Sequence, residues 1–262
     1  MPPHPSARLP KALLIDLAGV LHAGDAAIPG AIEALSQVRA TGLPLRFLTN
    51  TTRTPRAVLV QKLGVMGFQL TEDEVLTAVH ATRTHLARRG LHPHLLIHPD
   101  IATEMGESAA EPDCVVLGDA AEEFSFAAMN QAFRLLMEGK PLIAMARNRY
   151  FQNTDGLMID MGAYVSALEY AAGVKAEIIG KPAPAFFEAA LADLGVAASD
   201  ALMIGDDLRD DIGGAQACGI PAWLVRTGKF RAQDEADPLI RPARVVDDFA
   251  AAVALLLAQL SG

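Results

Sequence analysis

The chain has 262 residues, enough for one large core or two domains, and its 51% hydrophobic and 20% charged residues argue against disorder. A net charge of −9 argues against a nucleic-acid partner, because phosphate backbones reward basic surfaces, yet it leaves room for a locally positive pocket and a small phosphorylated substrate. Two cysteines, Cys114 and Cys218, are too few for a disulfide framework, lack metal-type spacing and read as buried thiols.

The start, MPPHPSARLPK, is proline-rich without an apolar signal core and reads as a loose tail. A first strand follows over 12–17. Pro29-Gly30 then precedes a helix with apolar Ile32, Leu35 and Val38 that ends near Gly42. A second strand covers 44–48, and a helix runs from about Pro55 to Gly64. The middle offers strands at 94–98, 113–117 and 142–145, a helix over 126–138 with Phe126, Met129 and Phe133 as core, and a helix over 163–172. After Gly180-Lys181-Pro182 come a helix at 184–194, a strand at 201–204, a helix at 208–217 and a strand at 221–225. The apolar run 249–260 is shorter than the roughly 20 residues that span a bilayer. Behind Asp247 and Asp248 it reads as a capped, docked helix, so no membrane partner is expected and a cytoplasmic location is.

Apolar strands alternating with helices signal an α/β fold built on a mostly parallel sheet. The pattern is interrupted in the middle. The simplest organisation is a discontinuous core, residues 1–77 and 177–262, with an inserted α/β domain over 78–176.

Two acidic segments end strand-like runs: Asp16 in LLIDLAGVL, and Asp206, Asp207, Asp210 and Asp211 in MIGDDLRDDIGGAQ. In an α/β sheet the carboxyl ends of the strands face one crevice, so the two can converge there. Convergent carboxylates suit a hard cation such as Mg²⁺. An aspartate attacking a phosphate dianion meets like-charge repulsion of about 4 kcal/mol at 4 Å and an effective dielectric near 20. A metal between Asp16 and Asp206 lowers that penalty, with Asp211 a direct or water-mediated partner. Lys181, between glycine and proline after a strand, adds a compact positive charge, while the Thr49 hydroxyl and nearby N–H groups bind the remaining oxygens. Gly19 lets the backbone approach the phosphoryl group. Such a layout leads to covalent catalysis through an aspartyl-phosphate. Plainer readings stand beside several of these. Thr49 could simply end a strand and Asn50 cap the next helix; Arg53 could face the inserted domain or the phosphate; Arg147, Asn148 and Tyr150 could reach a substrate or form a solvated loop.

The four signals in this order resemble the haloacid dehalogenase superfamily, and the likeness covers nearly the whole chain. Asp16 resembles its motif I nucleophile, Thr49 its motif II hydroxyl, Lys181 its motif III lysine, and Asp206 with Asp211 its motif IV acids. The resemblance implies a Rossmann-like core, a type IIA α/β cap over 78–176, Mg²⁺ as cofactor and a backbone carbonyl of Ala18 as a further metal ligand. From their places in the sequence, Asn50, Gly19, Arg53, Arg147 and Asn148 are the residues expected at the substrate. Families of this kind often dimerise through the cap, although no residue pattern here signals a homodimer.

One departure from the family pattern matters. Most phosphatases of the superfamily carry a second aspartate two residues after the nucleophile, as acid for the leaving group and base for water; here that residue is Ala18. Loss of a positioned acid–base group costs about 10²–10⁴ in rate, or roughly 3–5 kcal/mol. Three readings follow. Substrates have leaving groups that need little protonation, such as phosphoramidates, acyl phosphates or pyrophosphate; another group such as His22 substitutes, against its plainer reading as a polar surface residue; or the protein is a slow hydrolase whose main role is binding. Phosphonoacetaldehyde hydrolases of the superfamily also carry alanine there but use a lysine on a different cap, so phosphatase chemistry is preferred.

Overall fold

The computed structural model describes residues 9–153 and 156–260; the proline-rich start, over residues 1–8, lies outside them. In chain order the strands are β1 (Ala12–Asp16), β2 (His22–Ala23), β3 (Ala26–Ala27), β4 (Leu45–Thr49), β5 (Val75–Thr77), β6 (Pro93–Leu96), β7 (Cys114–Leu117), β8 (Leu142–Ala144), β9 (Tyr150–Asn153), β10 (Gly156–Ile159), β11 (Glu177–Ile178), β12 (Ala201–Gly205), β13 (Ala222–Val225) and β14 (Arg244–Val246). The chain divides into two compact units. Met1–Leu48, Val60–Val75 and Pro184–Gly262 form the first, and Thr49–Leu59 with Leu76–Ala183 form the second.

The first unit is built on a sheet ordered β14-β13-β12-β1-β4-β5, in which β14, β13, β12, β1 and β4 run parallel. Its central strands are continuous apolar runs, as expected of strands covered on both faces. All five residues of β1 and all five of β12 are buried. The helices Ala31–Ala40 and Phe249–Leu260 pack on each other, and Asp248 caps the latter by accepting the Ala251 N–H at 2.8 Å. Leu35 and Val38 are buried as the spacing predicts, whereas Ile32 is only partly covered, because Ala31 and Ala34 take the inward face.

The second unit has its own four-stranded parallel sheet, β11-β8-β7-β6, and an antiparallel hairpin of β9 and β10. Val115, Val116, Ile143, Ala144, Val165 and Leu168 lie at its centre. Sequence periodicity overlooks the helix Ala78–Arg89, whose inward face is Ala78, Val79, Thr82 and Leu86; two of these four are too small or polar to mark an apolar stripe. Thr77 caps it, accepting the His80 N–H at 3.0 Å. Two expectations are corrected. Phe126 opens its helix and is 85% exposed, while Met129 and Phe133 do pack on the core. Cys114 is buried, its thiol pushed up to about 12 by burial and the charge of Asp113, but Cys218 ends a short helix and is only partly covered.

The fold is therefore α/β, a Rossmann-like parallel core interrupted by an inserted α/β unit. Among the described residues no helix is long and apolar enough to cross a membrane. Phe187, on the helix Pro184–Leu194, is fully buried, whereas Val65 is 86% exposed. Phe187→Ala should lower the unfolding free energy of the first unit by about 3–5 kcal/mol. Val65→Ala should change it by no more than about 0.5 kcal/mol, both read from urea denaturation.

Candidate active site

Parallel pairing sets the acidic site of the first unit. Ile15 is in register with Ile204, so Asp16 at the end of β1 and Asp206 just after β12 emerge at the same carboxyl-terminal edge. Asp206 leads into a π-helical turn, Leu208–Gly213, that returns Asp211 beneath the strand end. The sequence reads this stretch as one helix over 208–217; the structure splits it, with a short α-helix only over Gly214–Ala217. Asp207 caps the turn, its Oδ1 accepting the N–H groups of Arg209 and Asp210 at 2.9 and 3.0 Å. The Asp207 side chain thus serves the turn, while Asp211 Oδ2 accepts the Asp207 N–H at 3.1 Å.

Asp16, Asp206 and Asp211 are 6%, 2% and 1% exposed, and each offers an oxygen within 4.8 Å of the others'. Burial, followed by the charges of Asp16 and Asp211, pushes Asp206 well above the usual carboxylate range. Space there is tight. Gly19 has φ +90°, and a Cβ on it would overlap the Asp206 carboxylate, as would one on Gly228. The Gly19 N–H donates to the His22 carbonyl at 2.7 Å, its carbonyl accepts from the Thr227 hydroxyl, and Ala18 bridges to His22. The His22 Nδ1–H donates to the Gly24 carbonyl at 2.8 Å, which leaves Nε2 as the acceptor of the neutral ring.

Sequence reasoning missed the Thr227-Gly228-Lys229 loop. Lys229 donates its backbone N–H to Asp206 Oδ2 at 2.7 Å, and its ammonium lies 3.4 Å from Asp207. Burial works against that ammonium, but the charges of Asp207, Asp206, Asp210 and Asp16 hold its pKa above the usual lysine value. The available signal was Gly-Lys two residues beyond the apolar run AWLV, near a strand end as Lys181 is. One lysine does not balance three buried carboxylates. An all-oxygen donor set with surplus negative charge fits a hard divalent cation. Among the described residues this is the one metal-type cluster.

The remaining predicted residues belong to the second unit. Thr49 ends β4, is buried and accepts the Thr51 N–H at 3.2 Å. Asn50, Asn148 and Lys181 come together: Asn50 accepts the Lys181 N–H at 2.9 Å and donates to the Lys181 carbonyl at 2.8 Å, with Asn148 Oδ1 at 3.4 Å. Lys181 itself is buried. Both predicted arginines are engaged by carboxylates that the sequence did not single out. Arg53 makes a bidentate pair with Asp119 at 2.5 and 2.9 Å and sits over the Phe151 ring at 5.1 Å. Arg147 pairs with the buried Glu169 at 3.1 and 2.5 Å.

The family model described as haloacid dehalogenase-like hydrolase matches residues 13–111, and one described as HAD-hydrolase-like matches 178–252. The phospholysine phosphohistidine inorganic pyrophosphate phosphatase of Danio rerio is 45% identical over 94% of each chain. The 4-nitrophenylphosphatase of Thermotoga maritima superposes with a TM-score of 0.88 at 25% identity, over 96% of this chain and 99% of its own. The glycerol phosphate phosphatase of Mycobacterium tuberculosis, solved in complex with magnesium, gives 0.84 at 29% identity, over 94% and 77%. With likenesses of this strength over nearly its whole length, the chain belongs to the haloacid dehalogenase-like hydrolases.

Proposed function

We propose that the protein is a Mg²⁺-dependent phosphohydrolase that acts on a small phosphorylated molecule through an aspartyl-phosphate on Asp16. The observation that carries this reading is the buried set of Asp16, Asp206 and Asp211 at the strand ends. Phosphatases among the relatives, one of them solved with magnesium, support it. Asp16, Asp206, Asp211 and the Ala18 carbonyl would hold the ion. When bound, Mg²⁺ supplies charge neutralisation between an aspartate and a phosphate dianion.

The Asp16 carboxylate forms a bond to phosphorus as the bond from phosphorus to the leaving oxygen or nitrogen breaks, and the leaving group keeps that electron pair. Water then attacks phospho-Asp16, releasing inorganic phosphate and restoring the carboxylate. The roles of Lys181 as counter-charge and Thr49 as hydroxyl donor rest on motif order in the sequence. In this reading residues 78–176 are the cap and 1–77 with 177–262 the catalytic core. A cytoplasmic setting belongs to the proposal and is supported by two free cysteines.

Ala18 bears on the choice of substrate. No carboxylic acid stands two residues after Asp16 to protonate an alkoxide. Phosphoramidates and pyrophosphate need that proton least, since a phosphoramidate nitrogen is protonated before it leaves and pyrophosphate releases orthophosphate, a stabilised anion. The name of the Danio rerio relative points to the same compounds. Ala18 also favours a second reading, a catalytically weak protein that retains a metal and phosphate pocket.

Turnover of p-nitrophenyl phosphate, pyrophosphate and a phosphoramidate with Mg²⁺ separates the two. The hydrolase reading expects steady turnover of at least one, stopped by chelation of the metal and abolished in Asp16→Asn. Inactivity on all three, with Mg²⁺ still binding by calorimetry, selects the binding role. Ala18→Asp should raise hydrolysis of poor-leaving-group esters by about 10²-fold or more and of p-nitrophenyl phosphate by much less. Equal gains on both would show that the acid–base group at position 18 does not limit turnover.

A further inference from the structure

The Asn50 side chain closes a ring with the main chain of a single residue. Its Oδ1 accepts the Lys181 N–H at 2.9 Å and its Nδ2 donates to the Lys181 carbonyl at 2.8 Å. The second Nδ2 hydrogen is directed to Asn148 Oδ1 at 3.4 Å. Both amide hydrogens and one acceptor lone pair are thus committed within the protein. A primary amide has two donors in all, so none remains for a phosphate oxygen.

The segment that enters this ring is fixed from its other side as well. Ile179 and Gly180 donate their N–H groups to the Ala144 and Met145 carbonyls at 3.0 and 2.8 Å, extending the pairing of β11 along β8. A Cβ on Gly180 would come within 2.6 Å of both Asn50 Oδ1 and the Met145 carbonyl, so the backbone passes close to the two where no side chain fits. Lys181 follows directly and is 3% exposed. Where the lysine's main chain is set this tightly, its long side chain starts from one fixed point and direction.

We propose that Asn50 is a positioning residue that aims the Lys181 ammonium and contributes to turnover only through it. The inference rests on the reading of Lys181 as the counter-charge for phosphate, and it assigns Asn50 a task other than contact with the substrate. A displacement of about 1 Å in a positioned group can cost on the order of 10²-fold in rate, which sets the scale of the effect.

Four full-length proteins test it: the parent, Asn50→Ala, Lys181→Met and the double variant, assayed on p-nitrophenyl phosphate with Mg²⁺. Lys181→Met should lower kcat by about 10²-fold or more. Asn50→Ala should lower it by about ten- to a hundredfold, and the double variant should be within about twofold of Lys181→Met alone, because nothing is left to aim. Multiplied losses in the double variant would overturn the inference, as would a parent-like Asn50→Ala beside a crippled Lys181→Met. Parent-like turnover in Lys181→Met would instead remove the reading of the lysine on which the inference stands. Asn50→Asp, which keeps the acceptor and loses the donor, should fall between parent and Asn50→Ala, and it replaces that variant if the latter does not fold. Where rates fall below detection, inorganic phosphate affinity by calorimetry across the same set follows the same logic, additive losses again counting against it.

Discussion

Three carboxylates share a few ångströms of buried space at the edge of the first unit's sheet, and much of the local structure follows from holding like charges there. Parallel register brings Asp16 and Asp206 to one edge, and a π-helical turn recovers Asp211 from further along the chain. Glycine at 19 and 228 is required because a side chain at either position would occupy the volume of the Asp206 carboxylate. Lys229 offsets part of the charge from the neighbouring loop. A protein selected for stability alone would not keep such a cluster, since burying like charges together costs far more than an apolar replacement. Its presence in buried space is the physical argument for a hard cation there.

The second unit solves a different problem. The segment after β4 carries consecutive polar residues and an arginine, which could by themselves form a mobile loop. Instead Asn50 engages Lys181, Thr52 accepts the Asp119 N–H at 3.0 Å, and Arg53 is gripped by Asp119 and covered by Phe151. Asp119 is buried and accepts the Ala121 N–H as well, so the anchor for Arg53 is itself fixed. Such over-determination suits residues whose direction matters more than their affinity.

The order of elements and the acidic constellation were legible from the sequence because both arise from strong local signals. Buried parallel strands are uninterrupted apolar runs, and carboxylates directly behind them have few structural uses. What escaped lacked such a signal. The helix Ala78–Arg89 buries alanine and threonine, and β5 and β14 are only three residues long. Phe126 was misjudged because helical spacing says which residues share a face but not how far the partner surface extends. Arg53 and Arg147 stand out in the sequence because they follow strand ends, whereas the carboxylates that hold them, Asp119 and Glu169, come from distant positions that no single-sequence spacing links.

The connectivity of the first sheet also sets a timetable for synthesis. β1 lies between β4 and β12, and β12 is encoded only after the whole inserted segment. On the ribosome, the strand bearing Asp16 therefore waits with one edge open while a second apolar sheet is made and paired. Residues 76–183 hold every strand of that later sheet, so it can close before its predecessor does. The metal-type cluster is thus completed only after the inserted segment, and a polypeptide halted short of residue 201 would carry a hydrophobic ledge with a solitary acid at its end.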